Sequence, residues 1–405
     1  MPTLIVEPAE MRRAYRYRIY PSDTQKETLD RHLHLCRNLY NAALEERIIA
    51  YRYNKLSIRY RDQLSELPSL KRGLPEYNVV YSQVLQSTLR RLDQTFENFF
   101  RLLRAKNAGR IGKVGFPRFK GRNRFRSIIY PQDKSTFYVR PDGVLHIPKI
   151  GDVCMVYHRP IEGKMKTLSI KRDGVGDWWA TFSCEFPDVP KMKPKTAIGV
   201  DVGLENLVTL STGETVAPPK FLRASEERIK KLQRKLSHKE KHSRRYEKAR
   251  IKLARAHRKV EDQRKDFLHK LSKELIKKAD LIAFEDLDIN DMMGEHCLSK
   301  SIRDAGWGTL MRFTNYKAES AGKFVKFVDA HDTSILCARC GAVVPKRLDQ
   351  RLHFCQVCGF KLDRDWNSAY NIEARLGPDW AELVRKKLVE AMPTPPLYGG
   401  GEHGQ

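Results

Sequence analysis

The sequence predicts a multidomain α/β protein carrying a small metal-bound insert, and three observations carry that expectation. A helical pattern over residues 22–105 gives way near residue 125 to short β-rich runs. Beyond a proline-rich stretch, PDVPKMKPKT, apolar strands alternate with helices. Late in the chain, Cys337 with Cys340 and Cys355 with Cys358 form two CxxC pairs 14 residues apart, one short of the usual spacing, and read as a zinc ribbon. At 405 residues the chain exceeds one compact core, so two or three domains are expected.

RAYRYRIYP sets Tyr15, Tyr17 and Ile19 on one side and Arg16, Arg18 and Tyr20 on the other, the period of a strand with one wet face. Pro21 stops it. Ser22 and Gln25 make a capping-box pattern ahead of Leu29, Leu33, Cys36 and Tyr40, so a helix starts there. Leu85, Leu89, Leu92, Phe96, Phe99 and Leu103 repeat the helical spacing, and residues 22–105 are expected to close on that stripe as plain core. From residue 125, SIIYP, TFYVR, VLHIP, VCMVY, TLSIKR and WWATFSCEF, divided by turns such as Asp142-Gly143 and Asp173-Gly174, predict a small β-barrel or sandwich. The opening strand belongs to it, with the helical segment inserted.

After the linker, TAIGVDVGLENLVTLSTGE reads as a buried strand, a turn and a second strand of hairpin type. Residues 222–278 read as a long basic helical stretch broken near His238–Ser243, and DLIAFEDLDI as another apolar strand. SIRDAGWGTLMRFTNYKAESAGKF is expected to be one helix, VKFVDA a strand, and Arg364 to about Leu376 the closing helix. The tail, ending PTPPLYGGGEHGQ, has the composition of disorder.

The net charge is +27, and it is unevenly spread. Residues 101–130 carry ten Lys/Arg and no Asp/Glu, and residues 221–270 carry 19 basic against 7 acidic residues. Those two segments supply 22 of the 27 charges, a distribution that points to a polyanion partner rather than to general solubility. The sequence has no run of 18 apolar residues, and the apolar patch in MPTLIVEPAEMRR is too short for a signal peptide, so no membrane association is expected. Eight cysteines, four in the ribbon and four scattered (Cys36, Cys154, Cys184, Cys297), do not resemble a secreted disulfide framework and fit a reducing cytoplasm.

Asp201 ends the apolar run AIGV and Glu285 ends LIAF, each where a buried strand meets a sheet edge. If those strands are neighbours, the carboxylates lie side by side. Asp365 stands seven residues past Cys358, where the ribbon delivers it to a defined place. Three clustered acids repel one another unless cations hold them, and two magnesium ions about 4 Å apart meet that need in phosphodiester cleavage. Each acid alone has a plainer reading. Asp201 suits a strand-end turn, Glu285 shares its neighbourhood with Asp286 and Asp288, and Asp363 serves equally as the third acid or as a helix cap.

With these residues assembled, the chain resembles the TnpB family, RNA-guided nucleases encoded by bacterial insertion sequences and related to type V CRISPR effectors. The resemblance spans nearly the whole chain, through GVDVG at 199–203, FEDL at 284–287, SIRDAGW at 301–307, TSILCARCG at 333–341 and DRDWNSAYNI at 363–372. Ile335 stands where Gln is common and Ser368 where Ala is common, neither touching the chemistry. The resemblance implies a wedge β-barrel domain over residues 1–21 and 106–194 and a helical recognition lobe over 22–105. It implies a RuvC nuclease domain of ribonuclease H-like fold over 195–335 and 360–378, a zinc ribbon over 336–359, and a disordered tail over 379–405. It places the catalytic, magnesium-binding acids at Asp201, Glu285 and Asp365, taking the second aspartate of DRD.

By the same resemblance, one zinc sits on Cys337, Cys340, Cys355 and Cys358, and KVGFPRFKGRNRFR at 113–126 contributes Arg118, Lys120, Arg122, Arg124 and Arg126 to nucleic-acid binding. The implied function is an RNA-guided DNA endonuclease of a transposable element, acting as a monomer in a bacterial or archaeal cytoplasm. Its cofactors would be two magnesium ions, one zinc and a guide RNA from the end of its own element, and it would cut double-stranded DNA beside a short target-adjacent motif. Two other readings are a nuclease-dead repressor on the same fold, which the presence of all three acids disfavours, and an RNA-independent transposase or resolvase.

Overall fold

A computed structural model of the chain describes residues 11–109, 113–131, 136–292, 299–347 and 350–391. Cys297 and residues 392–405 of the tail lie outside the described residues. The chain divides into two compact units, residues 1–188 and 189–405.

In the first unit, β1 (Met11–Tyr20) buries Tyr15, Tyr17 and Ile19, as its alternation requires. Around it stand β2 (Ser127–Tyr130), β3 (Tyr138–Val139), β4 (Leu145–Ile147), β5 (Gly151–Met155), β6 (Lys164–Arg172) and β7 (Trp178–Phe186). The seven strands follow the order β2-β6-β7-β1-β5-β4-β3, every pairing antiparallel, and the ladder ends at β2 and β3.

Between β1 and β2 the helices α1 (Asp23–Asn54), α2 (Tyr60–Gly73) and α3 (Ser82–Asn107) are inserted, with a 3₁₀ turn at Pro75–Val79. The capping box at the start of α1 is present: the Ser22 hydroxyl accepts from the Gln25 amide, and the Gln25 side chain accepts from the Ser22 amide. Leu29, Leu33, Cys36 and Tyr40 are buried with Leu85, Leu89 and Leu92, in one core with Tyr17 and Phe182 of the sheet. Each large apolar side chain so buried contributes roughly 1.5–3 kcal/mol. The α3 stripe does not stay in that core. Beyond Leu92, Phe96 is half-buried against the core's edge, but Phe99 and Leu103 are half-buried outside it and Phe100 is half-exposed, so the expected closure fails over the last two turns of the helix.

In the second unit, β8 (Ala197–Asp201), β9 (Val208–Leu210), β10 (Thr215–Val216), β11 (Leu281–Glu285) and β12 (Phe324–Val328) form a sheet of order β10-β9-β8-β11-β12. The first three strands are antiparallel neighbours, while β8, β11 and β12 run parallel. α4 (Phe221–Ser237) and α5 (Arg244–Lys278) are separated at 238–243, and Ser243 caps α5 by accepting from Tyr246 N at 3.0 Å. They pack through Ile229, Ala256 and Val260. The crossover from β11 to β12 carries α6 (Ile289–Met292), α7 (Ser299–Ala305) and α8 (Trp307–Ser320). Here one helix was expected over SIRDAGW and beyond, but the helix is broken at Gly306, whose φ of 74° is left-handed.

The ribbon strands β13 (Leu352–Phe354) and β14 (Lys361–Asp363) precede α9 (Arg364–Ala374) and α10 (Pro378–Ala391). The last helix corrects the expectation of disorder from residue 379. Val384 and Leu388, one turn apart, are buried against Tyr370 and the ribbon's Phe360 and Leu362, and Lys387 Nζ meets Glu373 Oε1 at 3.0 Å. The proline- and glycine-rich composition of the final residues had masked that pair.

Candidate active site

β8 and β11 pair in parallel up to Phe284 opposite Val200, so Asp201 and Glu285 follow at the same end of neighbouring strands. Glu285 is buried and accepts from the Thr333 hydroxyl. Its alternatives Asp286 and Asp288 are exposed.

α9 brings the third acid. Its backbone lies directly on β8 where Gly199 has no side chain, and its Trp366 donates Nε1–H to Ser211 O at 3.1 Å. Asp365, in the first turn, is buried. Asp363 is exposed and caps the helix, accepting from Asp365 N at 2.9 Å and Trp366 N at 3.1 Å. Arg351 Nη1 approaches Asp365 Oδ2 to 3.2 Å and Arg364 Nε approaches Oδ1 to 3.4 Å, while Arg351 also pairs with Glu205.

Burial pushes the Asp201 carboxyl well above the usual range, and the nearby charges of Glu285 and Asp365 push the same way, with Arg364 opposing. Burial also raises Glu285, against the Thr333 hydrogen bond and the Arg375 charge. Glu285 and Asp365 are buried and Asp201 is half-buried, and three carboxylates whose charges bear on Asp201 offer oxygen donors of the kind a hard cation takes.

The four ribbon cysteines form a tighter cluster, the one group among the described residues whose metal-ligand atoms all lie within 4.8 Å of one another. Cys337 Sγ lies 3.8 Å from Cys358 Sγ, and Cys340 Sγ lies 3.5 Å from Cys355 Sγ. Tetrahedral zinc with bonds of about 2.3 Å needs sulfur separations of about 3.8 Å, so the cluster suits zinc. The two knuckles repeat one backbone pattern. Gly341 N donates to Cys337 O and Gly359 N to Cys355 O, each at 2.8 Å, and both glycines are left-handed, with φ of 76° and 70°.

Two asparagines one turn apart on α9 tie the ribbon to the acids. Asn367 accepts from Ala338 N at 3.0 Å and donates to Leu336 O at 2.8 Å, and Asn371 donates to Thr333 O and Leu336 O, both at 2.8 Å. Sequence reasoning missed Thr333, Arg351, Asn367 and Asn371 as supporting residues. The available signal was a pair of asparagines at i, i+4 on a helix face otherwise expected to be buried.

In the first unit, Arg118, Arg122 and Arg124 are exposed, and Lys120 and Arg126 half-buried, on an irregular segment. It is anchored to α1. Asn41 exchanges two hydrogen bonds with the Lys120 backbone, of 2.8 and 3.1 Å, and Phe125 is buried against Tyr40. Phe116 and Phe119 remain about half-exposed between the cations. In the second basic segment, Glu226, Glu247, Glu261 and Asp266 are each paired with a lysine or arginine of their own helix.

Known proteins match this chain along most of its length. A protein of Streptomyces pristinaespiralis, provisionally designated an RNA-guided DNA endonuclease, is 35% identical over 372 residues, covering 90% of this chain and 89% of that protein. A family model, OrfB_IS605, described as "Probable transposase", matches residues 181–295. The chain belongs to the TnpB family. Escherichia coli InsQ, a TnpB relative with the same provisional designation, is 28% identical and covers 89% of this chain and 91% of its own. A Cas12f1-like TNB domain model matches residues 307–372, the span from α8 through the ribbon into α9. A helix-turn-helix model matches residues 11–55, which here are β1 and the single helix α1. Among solved structures, a Cas12f1–sgRNA–target DNA complex aligns with a TM-score of 0.54 at 13% identity, over 91% of this chain and 99% of that one. That likeness is one of fold: the mixed α/β chain with its cysteine ribbon follows the course of that protein over nearly its whole length.

Proposed function

We propose that this TnpB chain is an RNA-guided DNA endonuclease of a transposable element, hydrolysing phosphodiesters of double-stranded DNA beside a short target-adjacent motif. The observation that carries the reading is the arrangement of Asp201 and Glu285 at one sheet edge, with Asp365 close enough to raise the proton affinity of Asp201. Magnesium ions held by these three carboxylates would supply an activated water and stabilise the leaving oxygen. Thr333 fixes the Glu285 carboxylate, the Asp363 cap sets the first turn of α9, and Arg351 and Arg364 hold Asp365 in place. Zinc on the four cysteines would hold the ribbon that carries Arg351 and that begins three residues after Thr333.

Guide pairing would read sequence while the protein reads backbone shape. The 101–130 and 221–270 segments supply charge for a guide scaffold and a heteroduplex. The wedge sheet and helical lobe would serve recognition of the target-adjacent motif, with the chain acting as a monomer in the cytoplasm. No helix among the described residues is long and apolar enough to cross a membrane.

The transposase description of the matching family favours one second reading, an RNA-independent recombinase using the same acids. Nucleic acid extracted from the protein purified from its host decides between them. A tightly bound structured RNA mapping to the element end, required for plasmid cleavage, supports the proposal, whereas cleavage by RNA-free protein supports the recombinase.

A further inference from the structure

The helical lobe contains a cavity of about 960 Å³ that no step of the cleavage reaction uses. Its walls are aromatic: Tyr51, Tyr60, Phe96, Phe99, Phe100 and Phe116. This is where the α3 stripe leaves the core, and the rings hold one another edge-on, Phe116 against Phe96 at 5.8 Å and against Phe99 at 5.2 Å. Three of them keep large exposed faces, Tyr51 at 62%, Phe100 at 50% and Phe116 at 49%. An apolar surface of that size left open calls for an occupant.

The rim argues for its chemistry. Arg52, Lys55, Arg59 and Arg61 line the cavity and are exposed, against one exposed acid, Glu97, while the other lining acid, Asp93, is paired with Arg47, so the rim stays cationic. Within the wall, Arg47 is 8% exposed, with Nε bonded to Gln63 Oε1 at 2.9 Å and Nη1 to Asp93 Oδ1 at 3.0 Å, and its Nη2 has no hydrogen-bond partner. Cationic rims over aromatic walls are the pattern by which unstacked bases and their phosphates are held, because every base has a π-face and every linkage a negative charge. A purely apolar ligand or a greasy protein face would leave the four rim cations unused. We propose that this cavity binds unstacked bases of a single-stranded nucleic acid, with the flanking phosphates on the Arg52, Lys55, Arg59 and Arg61 rim.

The inference rests on the nucleic-acid reading above, and its test separates the two. The full-length chain, freed of bound nucleic acid in high salt, is titrated with 12-nucleotide single strands carrying one 2-aminopurine, as RNA in one arm and DNA in the other. Stacking on the rings should change the 2-aminopurine emission on binding, and the arm that responds names the source. Phe116→Leu and Phe100→Leu, which keep apolar bulk, should each abolish the emission change and weaken binding about tenfold, while unfolding at the wild-type temperature. Binding that persists unaltered in both variants, with the emission change retained, overturns the cavity and leaves the nuclease reading standing. Failure of the wild-type chain to bind either strand counts against both. Concentration-dependent dimers lost in Phe116→Leu would show the face to be a self-interface and overturn the proposal.

Discussion

A Cβ atom built on Gly199 would lie 1.9 Å from the carbonyl oxygen of Ala369. The Glu373 amide nitrogen would be 2.7 Å away, so the obstacle is helix backbone and cannot rotate aside. Backbone contact between β8 and α9 is what allows Asp365 to stand near Asp201. Gly199→Ala should therefore force α9 off the strand, at a cost of roughly 3 kcal/mol or more. Urea denaturation should show the second unit destabilised by that amount, with cleavage lost in parallel. Unchanged stability would mean that α9 is not seated on Gly199.

The ribbon shares its core with α9 and α10, but its own apolar content is small, and metal is expected to hold it. Elemental analysis should return one zinc per chain. Cys355→Ser should lower that content and, through Asn367, Asn371 and Thr333, loosen Asp365 and Glu285, so nuclease activity should fall while RNA binding remains. A zinc-free, fully active protein would refute the role.

His32, on α1, is fully buried within the helical lobe, and burial depresses its pKa from 6.5 to about 4. As pH falls from about 6.5 to about 4, the unfolded chain takes up a proton that the folded chain refuses. Stability present at neutral pH is lost over that window, by about 3 kcal/mol from this group. His32→Leu should flatten the acid limb of the first unit's stability curve, measured as the difference from wild type between pH 7 and 4.5. Parallel curves would show that His32 titrates normally.

Arg118→Glu with Lys120→Glu should weaken RNA affinity and lower the slope of log K against log salt, by roughly one per lost phosphate contact. Filter binding at several salt concentrations measures both. An unchanged slope would make this segment a solvated face.

Much of this was legible in the chain because the relevant signals are local. The alternation in β1, the Ser22–Gln25 capping box, the break at 238–243 and the two CxxCG knuckles each depend on a few adjacent residues. What escaped notice depends on distant partners. Nothing near Gly199 announces a helix 170 residues downstream, and nothing near Arg351 announces Asp365 as its neighbour. The α3 stripe misled for the converse reason, since helical periodicity specifies a face and not what covers it. In α10, Val384 and Leu388 were readable at i, i+4 but were outweighed by the composition of the residues after them.

The most direct test is plasmid cleavage with a matched guide RNA by four alanine variants, scored beside guide-dependent target binding. Asp201→Ala, Glu285→Ala and Asp365→Ala should each bind the target and leave it uncut, because these carboxylates serve the chemistry rather than duplex affinity. Asp363→Ala should still cut, having lost only a helix cap of about 1 kcal/mol. Cleavage by Asp365→Ala with a dead Asp363→Ala would contradict the account and move the third acid to the exposed end of α9.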